Sequence, residues 1–192
     1  MKRLRHISPL KLAILFNIFL LSCEEVIDVP FRTFRIPKGE HKSTRSIESL
    51  QSLSLAFQVV FDSTAIYQTK DPIQQFSTNK LLGFAECNSF HRENSARFGW
   101  QWLNGRLEIL AYTYVNGTRI EEFLGIVEIG KISNYQIDIT DDSYIFTLND
   151  YPSVIMDRGS TCKIGVYYML FPYFGGQEVA PHDIIIQIRI LY

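Results

Sequence analysis

The chain has 192 residues, 46% hydrophobic and 20% charged, a composition that excludes a disordered tail or a fibrous repeat. Its length suits one domain. A formal charge of −1 gives no electrostatic basis for nucleic-acid binding, and an aromatic content of 14% suits a β-rich protein.

Lys2, Arg3, Arg5 and Lys11 place four positive charges in the first eleven residues, and Leu12 to Leu21 is apolar apart from Asn17. As a helix that run spans ~15 Å, half of the ~30 Å of a bilayer core. A basic start, a short apolar stretch and a small residue at its end describe a cleaved secretory signal over residues 1–22. The sequence Leu20-Leu21-Ser22-Cys23 resembles the lipobox of bacterial lipoproteins. The resemblance implies cleavage before Cys23, lipid (palmitate included) on that residue, and a membrane as partner. Residues 23–30 are then a tether and 31–192 the folded domain. Cleavage takes Lys plus Arg from 19 to 15 against 20 acids, a net charge of −5. Glu24 and Glu25 resemble the acidic export signal of Bacteroidota lipoproteins, which implies the outer membrane and the cell surface rather than its periplasmic face.

With Cys23 acylated, Cys87 and Cys162 remain as an even pair in an oxidising compartment. A bridge between them would contribute roughly 4 kcal/mol at most by chain entropy; the alternative is two buried free thiols. No metal site and no cofactor is expected. The chain has no Gly-rich phosphate loop, no nucleophile elbow and no paired His zinc motif.

Residues 38–50 are polar and read as a long loop. Beyond them the pattern is alternation. Leu53, Leu55, Phe57, Val59 and Phe61 share one face, and Ile184, Ile186, Ile188 and Ile190 do the same near the C-terminus. Turn signals fall at Asn104-Gly105, Asn116-Gly117, Asp141-Asp142 and Gly175-Gly176. About ten strands are expected, in an all-β antiparallel two-sheet sandwich.

Treating the two Asn-Gly pairs as two-residue turns fixes a register. Phe98, Trp100 and Trp102 then face Ala111, Ile109 and Leu107 on the core side. On the other side Arg97 faces Tyr112, Tyr112 faces Glu121, and Tyr114 faces Arg119. Gly99 leaves a shallow gap in this face. Glu122 falls opposite Ala111 on the core side, which a bulge near Glu121-Glu122 would cure. Rings interleaved with guanidinium groups suit a glycan: rings stack on sugar faces, and Arg grips a carboxylate or sulfate through two hydrogen bonds. The bland reading is a solvated face with cross-strand ion pairs.

Tyr167, Met169, Phe171 and Tyr173 alternate on a later strand, with Ile164, Val166, Tyr168 and Leu170 expected on its core face. His91 sits in a polar loop leading to Arg97, and with Tyr173 it forms the rim of the candidate site. His182 beside Asp183 is a weaker candidate for an oriented base, since adjacent strand residues point to opposite faces.

Residues Arg97 to Gly117 and Leu170 to Ile188 resemble an uncharacterised group of Bacteroidota lipoproteins, whose strand pattern is similar to a concanavalin-like or laminin-G-like jelly-roll sandwich. Lys163-Ile164-Gly165-Val166-Tyr167 loosely resembles the strand bearing the catalytic Tyr of alginate-lyase-like enzymes, but their Gln-Ile-His strand is not found here. The fold alone does not choose an activity; the arginine–tyrosine face leads to the expectation of a lipid-anchored, non-catalytic glycan binder with Arg97, Tyr112, Tyr114, Arg119 and Glu121 as platform and His91 and Tyr173 at its rim. One alternative is a polysaccharide lyase or hydrolase of the same fold. In a lyase Arg97 would neutralise a uronate, and His91, Tyr112 or Tyr167 would act as base. Another alternative is a structural subunit that docks an envelope protein.

Overall fold

The computed structural model describes residues 29–44, 47–87, 89–159, 162 and 164–191. The signal, Cys23 and Glu24-Glu25 lie outside the described residues, as does Lys163 of the lyase-like stretch. Twelve strands are described: β1 (Arg32–Ile36), β2 (Ser49–Leu50), β3 (Ser54–Phe61), β4 (Asn79–Ala85), β5 (Ser95–Leu103), β6 (Arg106–Val115), β7 (Thr118–Val127), β8 (Ile132–Ile139), β9 (Ser143–Leu148), β10 (Val154–Asp157), β11 (Tyr167–Leu170) and β12 (Ile184–Leu191). They form two six-stranded antiparallel sheets, ordered β1-β12-β3-β8-β9-β10 and β2-β11-β4-β5-β6-β7. No α-helix occurs among the described residues, only two short 3₁₀ turns capped by Asp62 and Asp71.

The first sheet follows its sequence pattern directly. Leu55, Phe57, Val59 and Phe61 of β3 are buried, as are Ile184, Ile186, Ile188 and Ile190 of β12. Leu53 departs from the expected face: it precedes β3 and is exposed. Aromatic rings join the two sheets. Phe57 meets Phe98 edge-on at 5.6 Å, and Tyr135 stacks on Phe57 at 5.1 Å while meeting Phe98 edge-on at 5.0 Å. Such pairs add to the area they remove from water.

Both Asn-Gly turns form as expected. Asn104 and Gly105 have φ of 53° and 74°, and Asn116 and Gly117 have 50° and 82°, the left-handed pair a two-residue hairpin requires. The register follows: Arg97 opposes Tyr112, Tyr112 opposes Glu121, and Tyr114 opposes Arg119. The bulge in β7 lies at Leu124, between the pairs Leu110–Phe123 and Ile109–Gly125, so Glu121 keeps its place. Glu122 does oppose Ala111, yet it is exposed. The other sheet does not cover that part of β7, which removes the conflict foreseen from sequence.

Cys87 and Cys162 are joined, with Cα atoms 5.8 Å apart. Beside the bridge lies a buried ion pair. Glu86, 0% exposed, accepts from Arg158 Nε at 2.8 Å and Arg158 Nη2 at 3.1 Å. The Tyr144 hydroxyl of the first sheet donates to the same carboxylate.

Two expectations are corrected here. The faces of β11 are inverted: Tyr167 is buried against Phe84 at 5.1 Å, and Phe171 is buried against Phe34 at 5.6 Å, while Tyr168 is exposed. The reason lies in the Glu86–Arg158 pair, which gives the phenol of Tyr167 a polar neighbour inside the sandwich; Arg158 Nη2 is 3.4 Å from its oxygen. Residues 38–50 are also not simply a loop. They include β2, and Lys42 bridges to Tyr173.

Candidate functional site

The outer face of the second sheet carries an open groove of about 720 Å³. Its floor comes from β4, β5 and β6, and its wall from β11 and the segment that follows. That wall is held by backbone pairing: Lys80 N donates to Tyr173 O at 2.8 Å and Tyr173 N to Lys80 O at 2.9 Å. On the wall's far side Phe174 N donates to His41 O at 2.7 Å, and the His41 and Tyr173 rings stack at 5.2 Å.

The groove brings together most of the residues singled out from sequence. Arg97, Tyr112, Tyr114, Arg119, His91 and Tyr173 all line it. Glu121 does not line it; it lies beneath Arg119, whose Nε donates to it at 3.0 Å, and it also accepts from the Thr78 hydroxyl. The gap expected above Gly99 is filled: a Cβ there would come within 2.4 Å of the Thr78 methyl. His91 is exposed at the rim, and its carbonyl accepts from the Ser95 hydroxyl at 2.7 Å. His182 and Asp183 precede β12 rather than lying in it, and their side chains diverge. His182 Nε2 bonds to Thr64 O at 2.8 Å, and Asp183 accepts from Arg35 and from Lys38 N.

Arg97 is more enclosed than its position on an outer face suggested. It is 8% exposed, and its Nη2 donates to Leu81 O at 3.0 Å and Phe171 O at 2.6 Å. It therefore fastens the wall to the floor. Gly83 opposite makes this possible, because a Cβ there would stand 2.2 Å from Ala96 O and 2.7 Å from Arg97 Cγ.

The residue that sequence reasoning missed is Lys80. Lys80 opposes Gly99, and Gly83 opposes Arg97, so Leu81 and Leu82 together span the one step taken by Phe98. This β-bulge resets the alternation. Lys80 and Gly83, an odd number of residues apart, thereby face the same side. The signal was present in Lys80-Leu81-Leu82-Gly83: two adjacent buried leucines and a strand glycine mark a bulge or a close backbone approach.

Lys80 Nζ lies 4.9 Å from the centre of the Tyr112 ring and donates to Thr78 O at 2.7 Å. Burial lowers its pKa to about 8, helped by the charges of Arg97, Arg119 and Arg92 and opposed by Glu121. Tyr112, 2% exposed, has its phenol pushed far above the ordinary tyrosine value by burial, then by Tyr114 and Glu121. It stays neutral and serves as a ring. Among the described residues no cluster of His, Cys, Asp and Glu is disposed to hold a metal.

With this geometry the chain is an all-β jelly-roll sandwich with a cationic, tyrosine-lined groove on one sheet. No family model and no curated protein matches the sequence. Solved structures do match. The alginate lyase AlyC3 superposes with a TM-score of 0.60 at 11% identity, over 84% of this chain and 74% of that one. A glycoside hydrolase family 16 endo-glucanase from Bacteroides ovatus gives 0.54 at 8% identity, over 85% and 82%. The alginate lyase from Klebsiella pneumoniae gives 0.51 at 13% identity, over 72% of this chain; the chain spans 58% of that enzyme's length. At these identities the likeness is one of fold.

Proposed function

We propose that this protein is a lipid-anchored envelope protein of the bacterial outer membrane, displayed at the cell surface, that binds a glycan in the groove of its second sheet without cleaving it. The anchor rests on Leu20-Leu21-Ser22-Cys23 behind a basic and apolar leader, and surface display on Glu24 and Glu25. One observation carries the binding reading: the rings of Tyr114, Tyr168 and Tyr173, none of them buried, share one open groove with lysine and arginine side chains. Rings present apolar faces to sugar C–H groups, and the cations give hydrogen bonds that fix orientation. Tethering would raise the local concentration, so that many weak sites act together. The alginate lyases and the endo-glucanase that share this fold support a glycan as the ligand.

The test is a panel of neutral and acidic polysaccharides, scored for binding and for new unsaturated or reducing ends. Binding without new ends, weakened by Tyr114→Ala in a folded protein, is the expected result. New ends would replace this reading with the lyase or hydrolase. Absence of binding across the panel would leave envelope-protein docking as the better account. For the anchor, labelled fatty acid should enter the wild type and not Cys23→Ala.

A further inference from the structure

The groove holds more positive charge than its own acids offset. Lys42, Lys80, Arg92, Arg97 and Arg119 line it against a single carboxylate, Glu48. Glu48 is held by Arg32 at 2.8 Å, and Glu121 below the floor is held by Arg119 at 3.0 Å. A chain with a formal charge of −1 has gathered five of its 19 basic residues around one cavity.

Lys80 is the most informative of them. Its ammonium makes one hydrogen bond, to Thr78 O, and no ion pair among the described residues involves it. An ammonium has three donors, so two remain for the groove. Most surface cations keep full hydration; Lys80 is half-buried against the Tyr112 ring. Enclosing a cation whose acidic neighbour, Glu121, is already paired with Arg119 is unfavourable, and its pKa of about 8 reflects chiefly that burial. An acid group entering the groove would restore the counter-charge where water has been excluded, and a charge-assisted hydrogen bond there is stronger than a neutral one. Arg119, on β7 beside the strand that carries Tyr112, is exposed, lines the same groove and can take part.

We infer, resting on the glycan-binding reading above, that the ligand is an anionic glycan carrying carboxylate or sulfate groups, and that Lys80 and Arg119 seat one such group beside Tyr112.

The experiment measures binding of the folded chain to a polyuronate, to a sulfated polysaccharide, to the same polyuronate after reduction of its carboxyl groups, and to a neutral glucan. One of the charged polymers should bind at least ~10-fold more tightly than the reduced polymer, about the gain expected of one charge-assisted hydrogen bond. Which one does so separates carboxylate from sulfate. Lys80→Met should lose about 10-fold and Lys80→Arg less, while Lys131→Met, an exposed lysine remote from the groove, should bind as the wild type does. Equal binding of charged and reduced polymer would overturn the charge class and leave glycan binding standing. Failure of every polymer would overturn both. Equal losses in Lys80→Met and Lys131→Met would mean general charge attraction and overturn the role of Lys80. If Lys80→Met does not fold, the wild-type comparison of charged with reduced polymer decides alone.

Discussion

The two sheets of this sandwich use the same strand chemistry and end in different environments. In the first, β3, β8, β9 and β12 alternate between buried and more exposed residues along their length, one face on the core and the other in water. In the second, seven consecutive residues of β5, from Ser95 to Gln101, are buried, and β4 is nearly as enclosed. One face of those strands meets the core; the other forms a floor beneath the wall that follows β11. A polar side chain on an outer strand face is ordinarily solvated. Here Arg97, Tyr112 and Lys80 occupy such a face and are drawn out of water, which changes their chemistry. The difference teaches that the site arises from what covers a sheet, more than from the sheet's own pattern.

The largest effect is expected where the sheets are tied together. Glu86→Ala would leave Arg158 charged and buried, and should lower unfolding stability by about 3–5 kcal/mol in a urea titration. A much smaller loss would mean that the two sheets do not depend on this contact. Next, Gly83→Ala should cost about 1–3 kcal/mol, because the new methyl meets backbone. It should also weaken glycan binding by displacing Arg97, a coupling visible when stability and binding are measured on one preparation. The same measurement on Gln187→Ala, on the solvent face of the first sheet, should show a change within ~0.5 kcal/mol and unchanged binding. A large effect there would abolish the contrast between the sheets.

A pH series sharpens the comparison further. The charged groups acting on Lys80 are Arg97, Arg119, Arg92 and Glu121, and the Tyr112 phenol against it stays neutral near pH 8. Anion binding should therefore fall as pH rises through about 8 and be flat over that range in Lys80→Met. Stability moves the other way. The folded pKa is about 8 and the ordinary value 10.5, so between them the unfolded chain holds more protons at this residue. The Lys80 contribution to stability is thus least favourable below pH 8 and improves toward pH 10.5. Binding that strengthens with rising pH would contradict the assignment of Lys80 as the seat of the anion.

Much of this fold was legible in the sequence. Two Asn-Gly turns set the register of three strands, because the left-handed conformation they adopt admits few alternatives. The row Arg97–Tyr112–Glu121 followed from counting. Counting failed where a strand's core face was chosen from hydrophobicity alone. In β11 both faces carry aromatic residues, and the choice was made by a buried ion pair from distant parts of the chain. It failed again at Lys80, where alternation breaks at the bulge. The wall was invisible for a third reason: it is built from residues 41–43 and 172–174, which pair through backbone groups whatever their side chains.

Leu81 and Leu82 give the groove a dependence on parity. Deleting one codon of the two would put Lys80 and Gly83 an even number of residues apart, so ordinary alternation would keep Lys80 on the groove side; a strand of the present length that paired without the bulge would instead turn Lys80 toward the interior and bring Leu81 opposite Gly99. Chains of this shape therefore keep the groove's lysine either with two residues and a bulge or with one residue and none, and a chain whose residue count and bulge disagree would offer the sugar an apolar side chain at that point.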